Sequence, residues 1–116
     1  MPIKQIFDAK NLPIRATTTP DGKPAPEAVT LEVWASELTG DEQTQWQAAK
    51  AEQEAKLQAQ IDAGRLTVAE DNSYIWTDAA TMEQYRSELV SDLWTSFYDR
   101  WIADTQVSIT ISTEEI

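Results

Sequence analysis

The chain has 116 residues, 41% of them hydrophobic, and five tryptophans, which describes one folded domain with a modest core and excludes a disordered segment. It has no cysteine and no histidine, which removes disulfides, thiolate nucleophiles, the usual zinc sites and imidazole acid–base catalysis. The formal net charge is −11 with nine scattered basic residues, which argues against direct binding of nucleic acid, and no apolar run approaches the roughly 18 residues of a membrane span.

The opening MPIKQIFDAKN lacks the apolar centre of a signal peptide, so the chain is expected to be soluble and made in a cytoplasm. Ile3, Ile6 and Phe7 form one short apolar cluster bracketed by Pro2 and Pro13, and residues 1–12 read as an irregular N-terminal arm. Ile14 to Thr19 alternates and is β-branched, as a strand would be. The following TPDGKPAPE, residues 19–27, is a Pro-rich loop with an Asp21-Gly22 turn signal. Ala28 to Trp34 reads as a second strand, with Val29, Leu31 and Val33 on one face, and could pair with the first as a hairpin.

Ser36 to Gly64 carries a helix. Thr39-Gly40-Asp41-Glu42 fits a capping box at its start and Gly64 a left-handed stop at its end. Its apolar stripe is thin, Trp46, Ala49, Leu57 and Ile61 with Gln53 in the gap, so it lies on a surface, either of its own domain or of a neighbouring subunit. Arg65 to Glu70 and Ser73 to Thr77 alternate around Asp71-Asn72, which predicts a tight hairpin with positive φ at Asn72.

Asp78 to Ala103 has no Gly or Pro and reads as one long helix capped by Thr77 or Asp78. Met82, Tyr85, Leu89, Leu93 and Phe97 recur at helical spacing on one face, with Val90, Trp94 and Trp101 in a second row. A stripe this wide has two readings: sheet on one side and loop on the other, or sheet on one side with Trp94, Tyr98 and Trp101 meeting a second chain. Gln106 to Thr113 alternates cleanly, Val107, Ile109 and Ile111 in, Ser108, Thr110 and Ser112 out, and at a sheet edge such a strand invites pairing with another chain.

The order β-β-α-β-β-α-β predicts one α+β domain over residues 1–116, with two helices on a mainly antiparallel sheet. The three glycines form no phosphate-cradling loop. Glu88, Asp92 and Asp99 share the solvated face of the predicted long helix, where no apolar neighbour would raise a carboxyl pKa. Glu70-Asp71-Asn72 lacks the spacing and ligand count of an EF-hand. No catalytic residue, metal site or cofactor is expected. The residues expected to make contacts are Trp46, Trp94, Tyr98, Trp101, Val107, Ile109 and Ile111.

The run YIWTDAATMEQYRSEL followed by VSITIST resembles small accessory proteins of tailed bacteriophages, with a short strand ending in an aromatic, a D-A-A helix start and a terminal strand ending in acidic residues. The resemblance covers Ser73 to Ile116 and does not extend to residues 1–64. It implies a non-enzymatic virion component or assembly factor made in the host cytoplasm, working as an oligomer or on larger virion proteins. The alternative, from charge alone, is an acidic inhibitor that occupies a host nucleic-acid enzyme by mimicking phosphate.

Overall fold

The computed structural model describes residues 1–116. In chain order the elements are β1 (Ile3–Lys10), β2 (Ile14–Arg15), β3 (Glu27–Ala28), α1 (Leu31–Ser36), α2 (Gly40–Asp62), β4 (Leu66–Val68), β5 (Tyr74–Trp76), α3 (Ala79–Tyr85), a 3-10 turn (Arg86–Leu89), α4 (Asp92–Thr105) and β6 (Ser108–Glu115). The fold is α+β, with four α-helices rather than two. A four-stranded antiparallel sheet runs in the order β4-β5-β1-β6, and β2 and β3 form a separate two-stranded ribbon.

The N-terminal segment is no irregular arm. Residues 3–10 form the inner strand β1, paired to β6 over its whole length and to β5 only through Ile3–Gln5. Ile3, Gln5, Phe7 and Ala9 share one face of it, and of these Ile3 and Gln5 are buried. The polar Gln5 hid this alternation in the sequence; its buried Oε1 accepts a hydrogen bond from Trp76 Nε1 at 3.0 Å, which satisfies both groups.

The hairpin across the Pro-rich loop exists but is shorter than the sequence suggests, pairing Ile14 with Ala28 and Arg15 with Glu27. Most of the expected second strand is helix α1 instead. Thr30 starts it, its Oγ1 accepting from Val33 N at 3.3 Å. Leu31, Trp34 and Ala35 then share one face at helical spacing, a pattern that overrides the period-two reading of Val29, Leu31 and Val33. Gln43 Nε2 closes the end of α1 by donating to the carbonyls of Ala35 at 3.0 Å and Leu38 at 2.9 Å.

Helix α2 spans Gly40–Asp62, and Gly64 follows with φ +75°. Thr39 stands at its N-cap without a side-chain bond, so the capping box does not form. The thin stripe joins two clusters. Trp46 and Ala49 pack with Ala35 and Phe97, and Leu57 and Ile61 pack on Ile3, Leu66, Trp76, Met82 and Leu89.

The hairpin of β4 and β5 forms, with Asn72 at φ +66° as expected, but Glu70 joins Asp71 and Asn72 in the loop. Ala69 N donates to Ser73 O at 2.9 Å and Asn72 N to Ala69 O at 3.0 Å, which makes it a three-residue loop closing on a left-handed residue. Asp71 accepts from the hydroxyl of Ser73 and pairs with Lys4 at 3.0 Å. Those bonds hold its carboxyl at about 2, below the ordinary 3.8.

The predicted long helix is three pieces. Val90 is extended at φ −127°, and Ser91 Oγ accepts from Trp94 N at 3.1 Å as the cap of α4. Ser91-Asp92 is a helix-start signal inside a run otherwise free of breakers. The break sends Met82 and Leu89 to one cluster and Leu93 and Phe97 to the other, so they are not one face of one helix. Gln106, left-handed at φ 57°, ends α4.

The surface area of 7407 Å² exceeds by about 1,000 Å² what a compact monomer of this mass exposes. The radius of gyration of 16.2 Å likewise exceeds the roughly 13 Å of a compact chain of this length.

Candidate protein-contact groove

One face of the projecting β1–β6 ribbon looks across an open groove of about 980 Å³ at the 3-10 turn and α4. In register, Gln5 lies opposite Thr113, Phe7 opposite Ile111 and Ala9 opposite Ile109, so these six side chains form the strand wall. Leu89, Val90, Trp94, Tyr98 and Trp101 form the helical wall. Leu31, Gln53, Tyr74 and Met82 also line it. Charged groups, Glu83, Arg86 and Asp99, also border the groove, and Arg86 pairs with Glu83 at 3.6 Å.

Aromatic rings order each wall. Tyr98 stacks on Trp94 with centroids 4.9 Å apart and tilts against Trp101 at 5.7 Å. On the strand side Phe7 meets Tyr74 edge-on at 5.3 Å. Contacts of this geometry favour a fixed ring arrangement beyond simple burial. Burial pushes the hydroxyl pKa of Tyr74 up, a hydrogen bond with Gln53 opposing it. Burial, then the neighbouring Asp99, does the same for Tyr98. Both hydroxyls therefore remain neutral donors throughout the physiological range.

Of the residues expected to make contacts, Trp94, Tyr98, Trp101, Ile109 and Ile111 line this groove. Trp94, Tyr98 and Ile109 are half-buried and Ile111 is 56% exposed, so Ile111 is not an inward residue of a closed core. Trp101 borders the groove but is itself interior, its Nε1 donating to Val29 O at 3.1 Å. Trp46 and Val107 are elsewhere and buried, Trp46 edge-on to Phe97 at 5.6 Å. The surface helix thus docks Trp46 on its own domain. Phe7, Ala9, Tyr74 and Leu31 were not singled out from sequence. For Phe7 and Ala9 the signal was present as the alternation Ile3, Gln5, Phe7, Ala9, interrupted by one polar member.

The carboxylates once grouped by helical spacing are dispersed. Glu88 sits in the 3-10 turn and accepts from Gln60 Nε2 at 3.3 Å, while Asp92 lies in the first turn of α4. No group of three or more Asp or Glu side chains is arranged to hold a metal ion. No helix is long and apolar enough to cross a membrane. Comparisons with protein-family models, curated proteins and solved structures find no match to the chain.

Proposed function

We propose that the protein is a non-enzymatic structural or assembly component of a tailed-phage particle, acting through protein–protein contacts. The observation that carries the contact role is the open groove between the β1–β6 ribbon and α4. Its walls are mainly apolar and aromatic, and its charged groups are few. Such a lining matches the desolvated centre of a protein interface, where aromatic side chains anchor and charge is depleted. A contiguous apolar recess on a soluble chain marks a contact surface more often than idle surface. The phage assignment rests on the resemblance of Ser73–Ile116 and adds the setting.

The test is density-gradient fractionation of particles and assembly intermediates from infected cells that make tagged protein. Co-sedimentation that persists in high salt supports the reading, because an apolar interface is little screened. Loss of co-sedimentation on Trp94→Ala with Tyr98→Ala, with the far-ultraviolet circular dichroism unchanged, would place the contact in the groove. A protein absent from every particle fraction defeats the reading. Salt-labile capture of a host polymerase or nuclease instead would establish the charge-mimic alternative.

A further inference from the structure

The sheet has two edges of different character. The β4 edge is three residues long, a length that offers little to another chain. The β6 edge is eight residues long and pairs with β1 in unbroken register from Ser108 to Glu115. It carries no Pro, no Lys and no bulge, the devices by which natural edges are blunted. Its only charges are Glu114 and Glu115, at one end.

The backbone parity of that edge follows from one bond. Ile116 N donates to Pro2 O at 3.2 Å, so in the β1–β6 ladder the even-numbered residues of β6 exchange hydrogen bonds with β1. The N–H and C=O groups of Ile109, Ile111 and Thr113 therefore point outward, to a side where the structure has no strand.

We propose that this edge pairs antiparallel with the same edge of a second copy, joining two four-stranded sheets into one about a twofold axis. A twofold axis perpendicular to a sheet requires opposed residues to face the same side, so each residue pairs with one of equal parity. Only odd residues expose backbone groups, so the hydrogen-bonded pairs are odd with odd. The register centred on Thr110 satisfies both conditions, keeps Ser108 to Ser112 paired within β6, and matches like side chains with like. It sets Ile109 against the second copy's Ile111 on both sides of the axis, Thr110 against Thr110, and Ser108 against Ser112. Apolar and hydroxyl pairs of this kind stabilise antiparallel ladders, whereas like charges placed opposite destabilise them. In this register Glu114 and Glu115 lie beyond the paired residues and oppose no acidic group. A register centred on Ile111 sets Ile109 against Thr113 and Ser108 against Glu114, and is poorer on each count.

The surface balance agrees with a second copy. The chain exposes about 1,000 Å² more than a compact monomer of its mass, so it has surface to spare for an interface. Pairing would also join the strand walls of the two grooves into one apolar surface through Ile109 and Ile111. The inference does not need the groove to hold a partner, and it stands apart from the phage setting.

The native chain has no cysteine, which makes single-cysteine crosslinking clean. At a non-hydrogen-bonded antiparallel pair the Cα atoms lie about 4.5 Å apart, within disulfide reach. Thr110→Cys is therefore expected to form an intermolecular disulfide under mild oxidation, while Glu114→Cys is not. Sedimentation equilibrium of the wild-type chain is expected to show twice the 13.1 kDa chain mass. Thr110 is exposed, so Thr110→Lys leaves the fold intact and sets two like charges across the axis. It is expected to give a folded monomer, and overall repulsion cannot be the cause because Lys lowers the net negative charge. A wild-type monomer at all concentrations, or a dimer that ignores Thr110→Lys, overturns the proposal. Crosslinking through Ile111→Cys but not Thr110→Cys overturns the register and with it the proposal as stated. A monomer that still travels with phage particles would defeat this inference alone.

Discussion

At the base of the sheet Ile3 and Gln5 lie beside Trp76 and Leu66, and all four are buried. One turn of the pleat further along the same face of β1, Phe7 is 46% exposed, and its cross-strand partner Ile111 is 56% exposed. The strand, the face and the alternation are continuous between the two regions. The difference is that β5 accompanies β1 only as far as Gln5, and the helices that cover the base open away from the ribbon tip as the groove. Alternation along a strand tells which side chains share a face. It does not tell whether anything covers that face, because cover comes from elements distant in sequence.

The contrast can be broken most severely at the base. Trp76→Ala is expected to cost about 3–5 kcal/mol in urea denaturation, since it opens a large cavity and leaves Gln5 Oε1 without its donor. A loss under about 1 kcal/mol would mean that the base is not the core. Leu89→Ala, in the same cluster, is expected to cost about 2–5 kcal/mol, and the half-buried Leu93→Ala distinctly less. Equal losses would mean that Leu93 is enclosed as fully as Leu89.

Phe7→Ala sharpens the comparison from the other side. It removes an edge-on contact with Tyr74 worth about 0.5–1.5 kcal/mol, plus a half-exposed surface, and should leave a folded chain with a small drop in denaturation midpoint. A loss equal to that of Trp76→Ala would show that the groove is closed core in solution. Ser91→Ala deletes the cap that divides the two clusters and is expected to cost about 1 kcal/mol, with no change in crosslinking at position 110.

The smallest effect lies at the hairpin beside the base. Asp71 has a folded pKa of about 2, below its ordinary 3.8, because Ser73 and then Lys4 stabilise the carboxylate. A depressed carboxyl pKa means that its stabilising contribution is fully present above about 3.8 and is lost as pH falls toward 2. The side chain is exposed, so solvent screens much of the effect. Carboxyl carbon NMR should place its midpoint near 2, and Asp71→Asn should flatten the acid limb of the stability curve below pH 4. A midpoint near 4 would mean that the loop is not held by these bonds in solution.

What the sequence by itself determined was local. The absence of His and Cys set the available chemistry. The helix of Gly40–Asp62 was legible from its composition and Gly64, the 66–76 hairpin from Asp71-Asn72, and the terminal strand from Val107, Ile109 and Ile111, because propensity, turn chemistry and period act over a few residues. Five of the seven contact candidates, large apolar groups on periodic segments, line the groove, but the groove itself was not legible in the sequence. Tertiary structure decided the rest. Residues 3–10 became an inner strand because β6 and β5 offered partners more than sixty residues away, and the buried bond between Gln5 and Trp76 made a polar residue acceptable there. Residues 31–36 became helix because Ala35 and its neighbours found Trp46 and Phe97 to pack against. The long apolar run broke at Val90 because its two halves serve different clusters, and Ser91 could cap the second. Which aromatic residues ended inside, as Trp46 and Trp101 did, and which stayed at an open wall, as Trp94 and Tyr98 did, depended on that break, and a burial pattern made by contacts so far apart along the chain leaves no periodic trace in it.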